Sequence, residues 1–352
     1  MLIRAEPLTD LATRIFVAAG CDEDTASCVS RHLVDSNLCG HDSHGVLRVP
    51  RYVGFMENRE VNPSGRMRVV FTSGALTVID GELGFGQVVA EAAMDLLAAN
   101  ARDCGIALAT IRNTGHVGRL GDWAEQLARH DLVSLHFLNT TGIGMRAVPF
   151  GGSDSRLSLS PICICVPVEG DRPILLDMTT TVVAEGKLAV ARNKGEHVAP
   201  GTIVDKDGRP TTDPNDFYEG GSLLPIAGHK GSGLNVVTDL LAGALSGGGC
   251  TRPGVTTLVN TMTSIAIDPG QFTDREAYIA EVARFAAHVT ASPPSDPGGE
   301  VLLPGDVEHR TRLARRRDGI PLDDATCAQV LEAGRTVGLT DAEMPELARR
   351  PE

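Results

Sequence analysis

Apolar residues recur every three or four positions at both ends of the chain, a spacing typical of amphipathic helices. Over residues 7–38 this pattern is divided at Gly20, which predicts two helices with a turn between them. The same spacing predicts helices over 277–288, 307–317 and 324–337 near the C-terminus. We therefore expect helical segments at both ends.

The middle of the chain consists mainly of short apolar runs between turns that carry glycine and proline, as in β-sheet proteins. Its predicted elements are a hairpin over 69–80, helices over 87–100 and 123–130, strands over 105–112 and 132–138, and a sheet-rich stretch to about residue 263 with one clear helix over 234–245. The predicted fold class is α/β (mixed α+β), with a sheet-rich core bracketed by helical N- and C-terminal segments.

Composition narrows the class of protein. The 352 residues include 42% hydrophobic and 22% charged residues, which suits a globular core. A net charge of −13 opposes binding to a phosphate backbone, and 4% aromatic residues offer few platforms for base stacking, so nucleic acid is not an expected partner. We find neither a run of about eighteen apolar residues nor a cleavable leader pattern, and therefore expect a cytoplasmic protein with no membrane partner.

The cysteines give no sign of a metal centre. All eight lie outside C-x-x-C pairs, the spacing that zinc sites and thioredoxin-like motifs use. We expect reduced thiols in the core, and predict no metal site.

Three glycine motifs invite comparison with the G-x-G-x-x-G fingerprint of dinucleotide-binding proteins. In the first, Gly84–Gly86, the third small position is held by Val89. The second, at 142–144, leads into a proline instead of a helix. The third, at 231–233, follows a loop, although the neighbouring Lys230 could reach a phosphate. We therefore expect no Rossmann fingerprint.

Residues 41–52 (HDSHGVLRVPRY) concentrate chemically active side chains in one short segment. A helical path would place His44, Arg48 and Tyr52 at i, i+4 and i+8, on one face. Because Pro50 removes a backbone donor inside a helix, we expect a turn of helix that is broken near Val49.

These side chains suit the reduction of a carbonyl group beside a carboxylate. Arg48 would hold the carboxylate through two parallel hydrogen bonds, and His44 would deliver or remove the hydroxyl proton. Ser43 would orient the imidazole. The alternative is structural, with Ser43 or Asp42 as a helix cap and Arg48 as a surface residue.

A second polar cluster, at 112–119, follows a predicted strand and precedes a helix that starts near Leu120. Ligands bind at such junctions in α/β proteins because backbone N–H groups point outward there. His116 in this cluster would touch a substrate or cofactor, or else is a structural histidine.

Six ordered segments point to one known family. They are DSHGVLRVPRY at 42–52, GHVGRLGDWA at 115–124, VPFGG at 148–152, LLDMTTTVVAEGKLA at 175–189, GHKGSGLNVVTDLLAGALSG at 228–247 and LLPGD at 302–306. Over nearly its whole length the chain resembles the type-2 malate/L-lactate dehydrogenases. That family includes ureidoglycolate, sulfolactate and diketogulonate enzymes and the piperideine-2-carboxylate and pyrroline-2-carboxylate reductases.

The resemblance implies a homodimer with a non-Rossmann nicotinamide-binding domain. We expect residues 126–289 to form a sheet-rich NAD(P)-binding domain. Residues 1–125 together with 290–352 are expected to form a helical and mixed domain for substrate binding and dimerisation.

The resemblance also assigns roles to residues. Ser43 and His44 correspond to a proton-transfer pair, Arg48 and Tyr52 to the substrate grip, and His116 to the junction of substrate and nicotinamide, where some members place the base. The implied cofactor contacts are His116, Val117, Gly118, Arg119, Leu120, Ser160, Asp177, Met178, Thr179, His229, Lys230, Pro304, Gly305 and Asp306.

The chain departs from the family pattern in three places. Ser158–Pro161 replaces a Gly-Thr-Asn-Pro segment, and Asp306 replaces the glutamate of Pro-Gly-Glu; both changes lie in implied cofactor segments. The imine reductases carry an acid where this chain has Lys187, which favours a 2-oxo acid over a cyclic imine.

The sequence thus predicts an NAD(P)-dependent oxidoreductase that interconverts a small 2-hydroxy acid and its 2-oxo acid. The arginines over 310–317 would suit the 2′-phosphate of NADP, but a run of arginines on a helix usually forms a solvated face. We therefore expect a slight preference for NAD. The alternatives are a cyclic-imine reductase and a catalytically inactive dimeric binding protein. A Ser/His/Asp hydrolase is least supported, because G-x-S-x-G is absent and Ser43 directly precedes His44.

Overall fold

The computed structural model describes residues 1–141, 144–170 and 172–348. Its helices are α1 (Ala5–Ala18), α2 (Glu23–Leu38), α3 (Val49–Glu57), α4 (Gly86–Cys104), α5 (Leu120–Ala128), α6 (Glu185–Lys194), α7 (Pro214–Tyr218), α8 (His229–Asp239), α9 (Arg275–Thr290), α10 (Asp306–Asp318), α11 (Asp324–Thr336) and α12 (Pro345–Ala348). None of the helices in these ranges is both long and apolar enough to cross a lipid bilayer.

Its strands are β1 (Leu2–Ile3), β2 (Arg68–Ser73), β3 (Leu76–Asp80), β4 (Ile106–Thr114), β5 (Val133–Thr141), β6 (Ile162–Val166), β7 (Ile174–Met178), β8 (Ile203–Val204), β9 (Pro210–Thr211), β10 (Ser222–Leu223), β11 (Val259–Ile267) and β12 (Ile320–Pro321). A seven-stranded mixed sheet runs in the order β2-β3-β4-β11-β5-β6-β7. β3 and β4 pair in parallel across the helix α4, and their other neighbours in this sheet pair antiparallel. The predicted hairpin, the two predicted strands and the mixed α/β class are confirmed.

Helices cover both faces of this sheet. On one face, Met94 of α4 and Trp123 of α5 are buried together with Met262 of β11. The next residue of β11, Thr263, points to the other face, where its hydroxyl donates to the Leu241 carbonyl at 2.7 Å. Leu241 belongs to a π-helical turn that continues α8.

The two ends of the chain pack on each other. β1 and β12 pair antiparallel, and one core cluster joins Leu11 and Ile15 of α1 to Val330 of α11. The sequence predicted both terminal helical segments, and the start of α2 is capped by Asp22, which accepts from Thr25 N at 2.7 Å.

The stretch predicted to be sheet-rich with one clear helix contains more helix than expected. α6 and α7 pack with a small antiparallel sheet, β10-β8-β9, through Leu188, Ile203, Phe217 and Leu223. That prediction was wrong because in α6 Leu188 alone among the described residues is fully buried, so no helical periodicity marks the segment.

The prediction that a helix starts at Leu234 was also wrong. α8 begins at His229 and includes Gly231 and Gly233 in its first turns. A Cβ at Gly231 would lie 2.0 Å from the Ile226 carbonyl oxygen, so the start of the helix needs glycine at this position.

Pro50 begins a helix instead of breaking one. α3 starts at Val49 with Pro50 in its first turn, where the missing N–H sacrifices no hydrogen bond. Two 3-10 turns, Asp42–His44 and Val46–Arg48, precede it. The turn Val46–Arg48 and helix α3 start at Gly45 and Arg48 without a side-chain cap, so the interpretation of Ser43 or Asp42 as the cap of the next helix was wrong.

The first glycine motif lies where a dinucleotide fingerprint would lie, between β3 and α4. A Cβ at Gly86 would be 2.4 Å from the carbonyl carbon of His116, so another part of the chain covers this turn. Gly86 therefore allows two backbone segments to approach each other. In the second motif, Gly142 and Ile143 lie outside the described residues.

The cysteines form no disulfide, and five of the eight are buried. Cys104, at the end of α4, is exposed, so the prediction that all eight lie in the core was too broad.

Candidate functional site

The 3-10 turn Asp42–His44 carries two predicted catalytic side chains and is fixed to two helices. Buried Asn37 of α2 donates from Nδ2 to Asp42 Oδ1 at 2.7 Å, and its Oδ1 accepts from Val46 N at 2.8 Å. Arg315 of α10 donates to both Asp42 carboxylate oxygens, at 2.6 and 3.0 Å. The position of His44 is thus set by residues far apart in sequence.

The side chains of Ser43, His44 and His116 meet. Ser43 Oγ lies 3.1 Å from His44 Nδ1, and the His44 and His116 rings stack with centroids 5.5 Å apart. α6 begins against this turn, where a Cβ at Gly186 would lie 2.6 Å from Ser43 Cβ, so glycine is required for the approach.

His116 lies in the loop between β4 and α5, and a chain of hydrogen bonds from Gln87 through Tyr52 fixes the position of its ring. The Tyr52 hydroxyl lies 2.7 Å from His116 Nδ1 and accepts from Gln87 Nε2 at 2.9 Å. A hydroxyl that already accepts from Gln87 is free to donate its one proton to Nδ1, which places the proton of a neutral His116 on Nε2. Tyr52 is 2% exposed, and burial raises the pKa of its hydroxyl.

Both imidazoles favour the neutral form. Burial, with Arg48 and His41 nearby, lowers the pKa of His44 to about 3. Burial and the charge of Arg48 hold the pKa of His116 well below its usual range. A ring that stays neutral near pH 7 can accept a proton through its unprotonated nitrogen.

Arg48 presents an unmatched positive charge at this site. Its Nε donates to the Ser43 carbonyl at 2.6 Å, which fixes the plane of the guanidinium. Among the described residues, no carboxylate lies within 4.0 Å of its nitrogens. Its two terminal nitrogens can therefore grip an incoming anion.

The segments predicted to contact a cofactor are joined by hydrogen bonds. Gly121 N, at the start of α5, donates to Asp177 Oδ2 at 2.7 Å, and Leu175 N donates to the Pro304 carbonyl at 3.0 Å. Asn235 of α8 donates to the Ser158 carbonyl at 2.7 Å and to Thr180 Oγ1 at 2.8 Å. Residues 116–120, 158–160, 177–180 and 304–306 and helix α8 thus form one connected region.

The side chains of several predicted cofactor residues bond to other residues of the chain. Arg119, 2% exposed, pairs with Asp122 at 2.7 Å and Glu125 at 3.0 Å. Buried Asp306 pairs with Arg172, and Ser160 Oγ lies 2.8 Å from Ser158 Oγ. A cofactor would meet the backbone at these positions more readily than the side chains.

Other predicted positions contribute mainly backbone. Val117 N donates to Asn260 Oδ1 at 3.0 Å, Gly118 and Gly305 have positive φ, and Leu120 opens α5. Thr179 Oγ1 donates to the Leu159 carbonyl at 3.2 Å, next to the half-buried Met178 at the end of β7.

His229 and Lys230 are different, since both are exposed at the start of α8. The His229 ring contacts Phe150 edge to face, with centroids 5.8 Å apart. In the described ranges no carboxylate pairs with Lys230, and the first N–H groups of the eleven-residue α8 attract negative charge.

Four of the five arginines of α10, Arg310, Arg312, Arg315 and Arg317, pair with carboxylates of this chain. Arg312 pairs with Asp35 at 2.8 Å and Glu125 at 2.6 Å, and Arg315 holds Asp42. Arg310 pairs with Glu300. These three side chains are therefore already matched by carboxylates.

Sequence reasoning missed Asn37, Gln87, Gly186 and Arg315. Asn37 and Gln87 are polar residues buried on otherwise apolar helix faces, 1% and 0% exposed. That pattern could have marked both as bonded to something important. Gly186 and Arg315 carry no such signal, because their roles depend on contacts distant in sequence.

Residues 3–331 match the family described as malate/L-lactate dehydrogenase. Hydroxycarboxylate dehydrogenase B of Escherichia coli is 39% identical over 344 residues, which cover 96% of this chain and 94% of that protein. L-sulfolactate dehydrogenase of Methanocaldococcus jannaschii is 33% identical, with 96% and 98% covered. A solved structure of a putative malate/lactate dehydrogenase from E. coli has a TM-score of 0.94 at 38% identity and covers 99% of this chain and 100% of that one. The chain belongs to the malate/L-lactate dehydrogenase family, a family of oxidoreductases.

Proposed function

We propose that this protein is an NAD(P)-dependent dehydrogenase that interconverts a small 2-hydroxy acid and the corresponding 2-oxo acid. The observation that carries the proposal is the pair of stacked, neutral imidazoles of His44 and His116 beside the unmatched guanidinium of Arg48. A 2-hydroxy acid presents a carboxylate and a hydroxyl on neighbouring carbons. Those are the groups that such a site would hold.

Arg48 binds the substrate carboxylate. Its Nε is committed to the Ser43 carbonyl, so the two terminal nitrogens face the ligand in a fixed plane. Two parallel hydrogen bonds to a carboxylate fix the substrate's orientation as well as its affinity.

His44 takes the hydroxyl proton when the hydroxy acid is oxidised. Burial and the charge of Arg48 lower its pKa to about 3, so in the free protein the ring is unprotonated at neutral pH but is only a weak base. A bound carboxylate offsets the charge of Arg48, which favours the protonated ring. Substrate binding therefore prepares His44 to hold the proton, and in the reverse direction to return it.

His116 hydrogen-bonds the reacting oxygen. Tyr52 occupies its Nδ1, so Nε2–H is left to donate to the substrate's hydroxyl or carbonyl oxygen. In this scheme Tyr52 positions His116, and Gln87 positions Tyr52.

The bound nicotinamide would supply the hydride acceptor. The chain fits such a group through the exposed Lys230 at the start of α8, which can hold a phosphate, and through the backbone of 116–120, 177–179 and 304–306. We favour NAD over NADP, because Arg310, Arg312 and Arg315 are already paired with carboxylates.

The positions of these residues suggest how the chain divides into two parts. We propose 126–289 as the NAD(P)-binding domain, with further cofactor contacts from 116–120 and 304–306. Residues 1–125 with 290–352 would carry Ser43, His44 and Arg48, and the seven-stranded sheet takes strands from both parts. A second copy of the chain would cover the exposed apolar side chains of α8 and the turn after it, which are Val236, Val237, Leu240 and Leu245.

A substrate screen tests the proposal. The protein is assayed with 2-oxo acids and with cyclic imines, each against NADH and NADPH. We expect turnover of a 2-oxo acid with NADH, and little with imines, since Lys187 is exposed and offers no acid next to Ser43. Turnover of imines alone would contradict the proposed substrate class. If the fluorescence of NADH and NADPH did not change on mixing with the protein, the proposal that it is a nicotinamide-dependent enzyme would be wrong.

A further inference from the structure

A cluster of three ligand-type side chains lies between α2 and α4 and shares no residue with the proposed reaction site. Cys28 and His32 are one helical turn apart on α2, so they lie on the same face, and Glu91 reaches them from α4. Cys28 Sγ is 3.7 Å from Glu91 Oε2, and His32 Nε2 is 2.8 Å from the same oxygen. The sulfur, nitrogen and oxygen atoms all lie within 4.8 Å of one another.

The His32 ring is oriented from its other side. Its Nδ1 lies 3.0 Å from Asp122 Oδ2, and the Asp122 side chain is 4% exposed. A carboxylate that accepts from one imidazole nitrogen fixes the other nitrogen for metal binding, an arrangement found at many protein zinc sites. Trp123 packs against the same ring, with centroids 4.7 Å apart.

We propose that Cys28 Sγ, His32 Nε2 and one carboxylate oxygen of Glu91 bind a Zn²⁺ ion, with water in the fourth position. Thiolate, imidazole and carboxylate are the three ligand types that zinc takes in proteins. Ligand atoms about 2.0–2.3 Å from zinc are about 3–4 Å apart in a tetrahedral site. The observed separations need only small side-chain movements to reach that geometry.

Zinc would replace a proton on His32 and one contact of Arg31. Burial lowers the pKa of His32, but hydrogen bonds with Asp122 and Glu91 raise it to about 11, so Nε2 would release its proton when the metal binds. Glu91 also accepts from Arg31 Nη2, at 3.3 Å through Oε1 and 2.9 Å through Oε2. A metal on Oε2 would take the place of the shorter Arg31 contact and leave Arg31 its contact with Oε1. The His32 side chain is 12% exposed and that of Glu91 33%, so an ion can enter from solvent.

A zinc ion here would link helices that lie next to the proposed reaction site. The metal would join α2 to α4, and the Asp122 contact extends this connection to α5. Helix α5 follows directly from the loop that holds His116. The ion would thus stabilise the fold around the site without taking part in the reaction.

The test uses the full chain, freed of metal with a chelator and titrated with Zn²⁺ and with Co²⁺. We expect one equivalent to bind, a thiolate-to-cobalt charge-transfer band in the near ultraviolet, and a raised unfolding temperature with Zn²⁺. Cys28→Ser should abolish the band and weaken binding by tenfold or more. The matched control is Cys104→Ser, which replaces an exposed thiol elsewhere and should leave both unchanged.

Two results would overturn the proposal. One is the lack of saturable one-to-one binding to the unmodified protein. The other is binding that survives Cys28→Ser but is lost in His44→Ala, since the stacked imidazoles of the reaction site would then be the metal ligands. Neither result depends on turnover, so the failure of this proposal and the failure of the proposed function are distinguishable.

Discussion

Arg315 and Asp42, 273 residues apart, form a two-pronged ion pair in which Nη1 and Nη2 meet Oδ1 and Oδ2 at 2.6 and 3.0 Å. Arg315 also donates to the Asn37 carbonyl at 2.5 Å. The pair joins the turn that carries Ser43 and His44 to helix α10. Proton transfer at His44 is therefore expected to depend on a residue that touches neither substrate nor cofactor.

Replacing Arg315 tests this dependence. Arg315→Ala should lower kcat about 10- to 100-fold, because misplacement of a catalytic group by about 1 Å has effects of this size. The KM for the cofactor should change little, and Arg315→Lys should restore part of the activity. Steady-state kinetics measures the split between kcat and KM.

The control for Arg315 is Arg317→Ala on the same helix, which removes an exposed pair with the adjacent Asp318. It should behave like the unmodified protein. If Arg315→Ala changed only the ratio of kcat/KM for NADH and NADPH, Arg315 would be a reader of the 2′-phosphate instead.

His44→Ala should lose about 10²- to 10⁴-fold in turnover, the usual contribution of a general acid or base. Binding of reduced cofactor, followed by its fluorescence, should be almost unchanged. A loss of less than tenfold would transfer the role of base to His116, and the same assay on His116→Ala would then show the larger loss.

Tyr52→Phe tests whether Tyr52 acts through His116. The variant keeps the buried ring but removes the hydroxyl that binds His116 Nδ1 and Gln87 Nε2. We expect a fall in kcat of about fivefold with a nearly unchanged KM for the acid, since a lost hydrogen bond contributes about 1 kcal/mol. A large rise in KM with unchanged kcat would show that the hydroxyl binds substrate directly.

Arg48→Lys should mainly weaken use of the 2-oxo acid, since a point charge cannot replace the two parallel donors of a guanidinium. We expect kcat/KM for the acid to fall at least tenfold while cofactor binding is retained. Arg51→Lys, on the next turn of the same segment, is the comparison. Equal effects of the two variants would argue against a specific carboxylate grip by Arg48.

The sequence predicted those elements whose burial repeats regularly. Helices α1, α4 and α11 each have one apolar face. Half-buried and buried residues alternate along β5 from 133 to 138, and β4 is continuously buried over 109–111. Helix α6 could not be found, because its side chains are mostly half-exposed and its packing on Ser43 depends on Gly186. The tertiary contact, and not the local pattern, stabilises that helix.

The candidate site was predictable where it is local. Ser43, His44, Arg48 and Tyr52 fall within ten residues, so their convergence follows from one turn and one helix start. The contacts of Asn37 and Arg315 with this turn could not be predicted, because they join segments that only the fold brings together. The same holds for Cys28 and Glu91, which are 63 residues apart.

The last prediction concerns stability and pH at His136, which is fully buried in β5. Its two ring nitrogens lie 2.8 Å from Ser264 Oγ and 3.1 Å from Ser134 Oγ, and burial lowers its pKa to about 3. The unfolded chain binds a proton there below a pKa of about 6.5, whereas the native state does not. The native state therefore loses stability as pH falls from about 6.5, by about 1.4 kcal/mol per pH unit for this group.

His136→Gln should flatten the pH dependence by that one proton, because glutamine can bond both serines without titrating. Urea unfolding between about pH 5 and 6.5, above the range of most carboxylates, measures the slope for each protein. His44 and His116 change the pH dependence of the unfolding free energy equally in the variant and the unmodified protein. The difference between the two slopes therefore comes from His136. The exposed His197→Gln is the matched control. Parallel slopes for His136→Gln and the unmodified protein would mean that His136 is protonated in the native state.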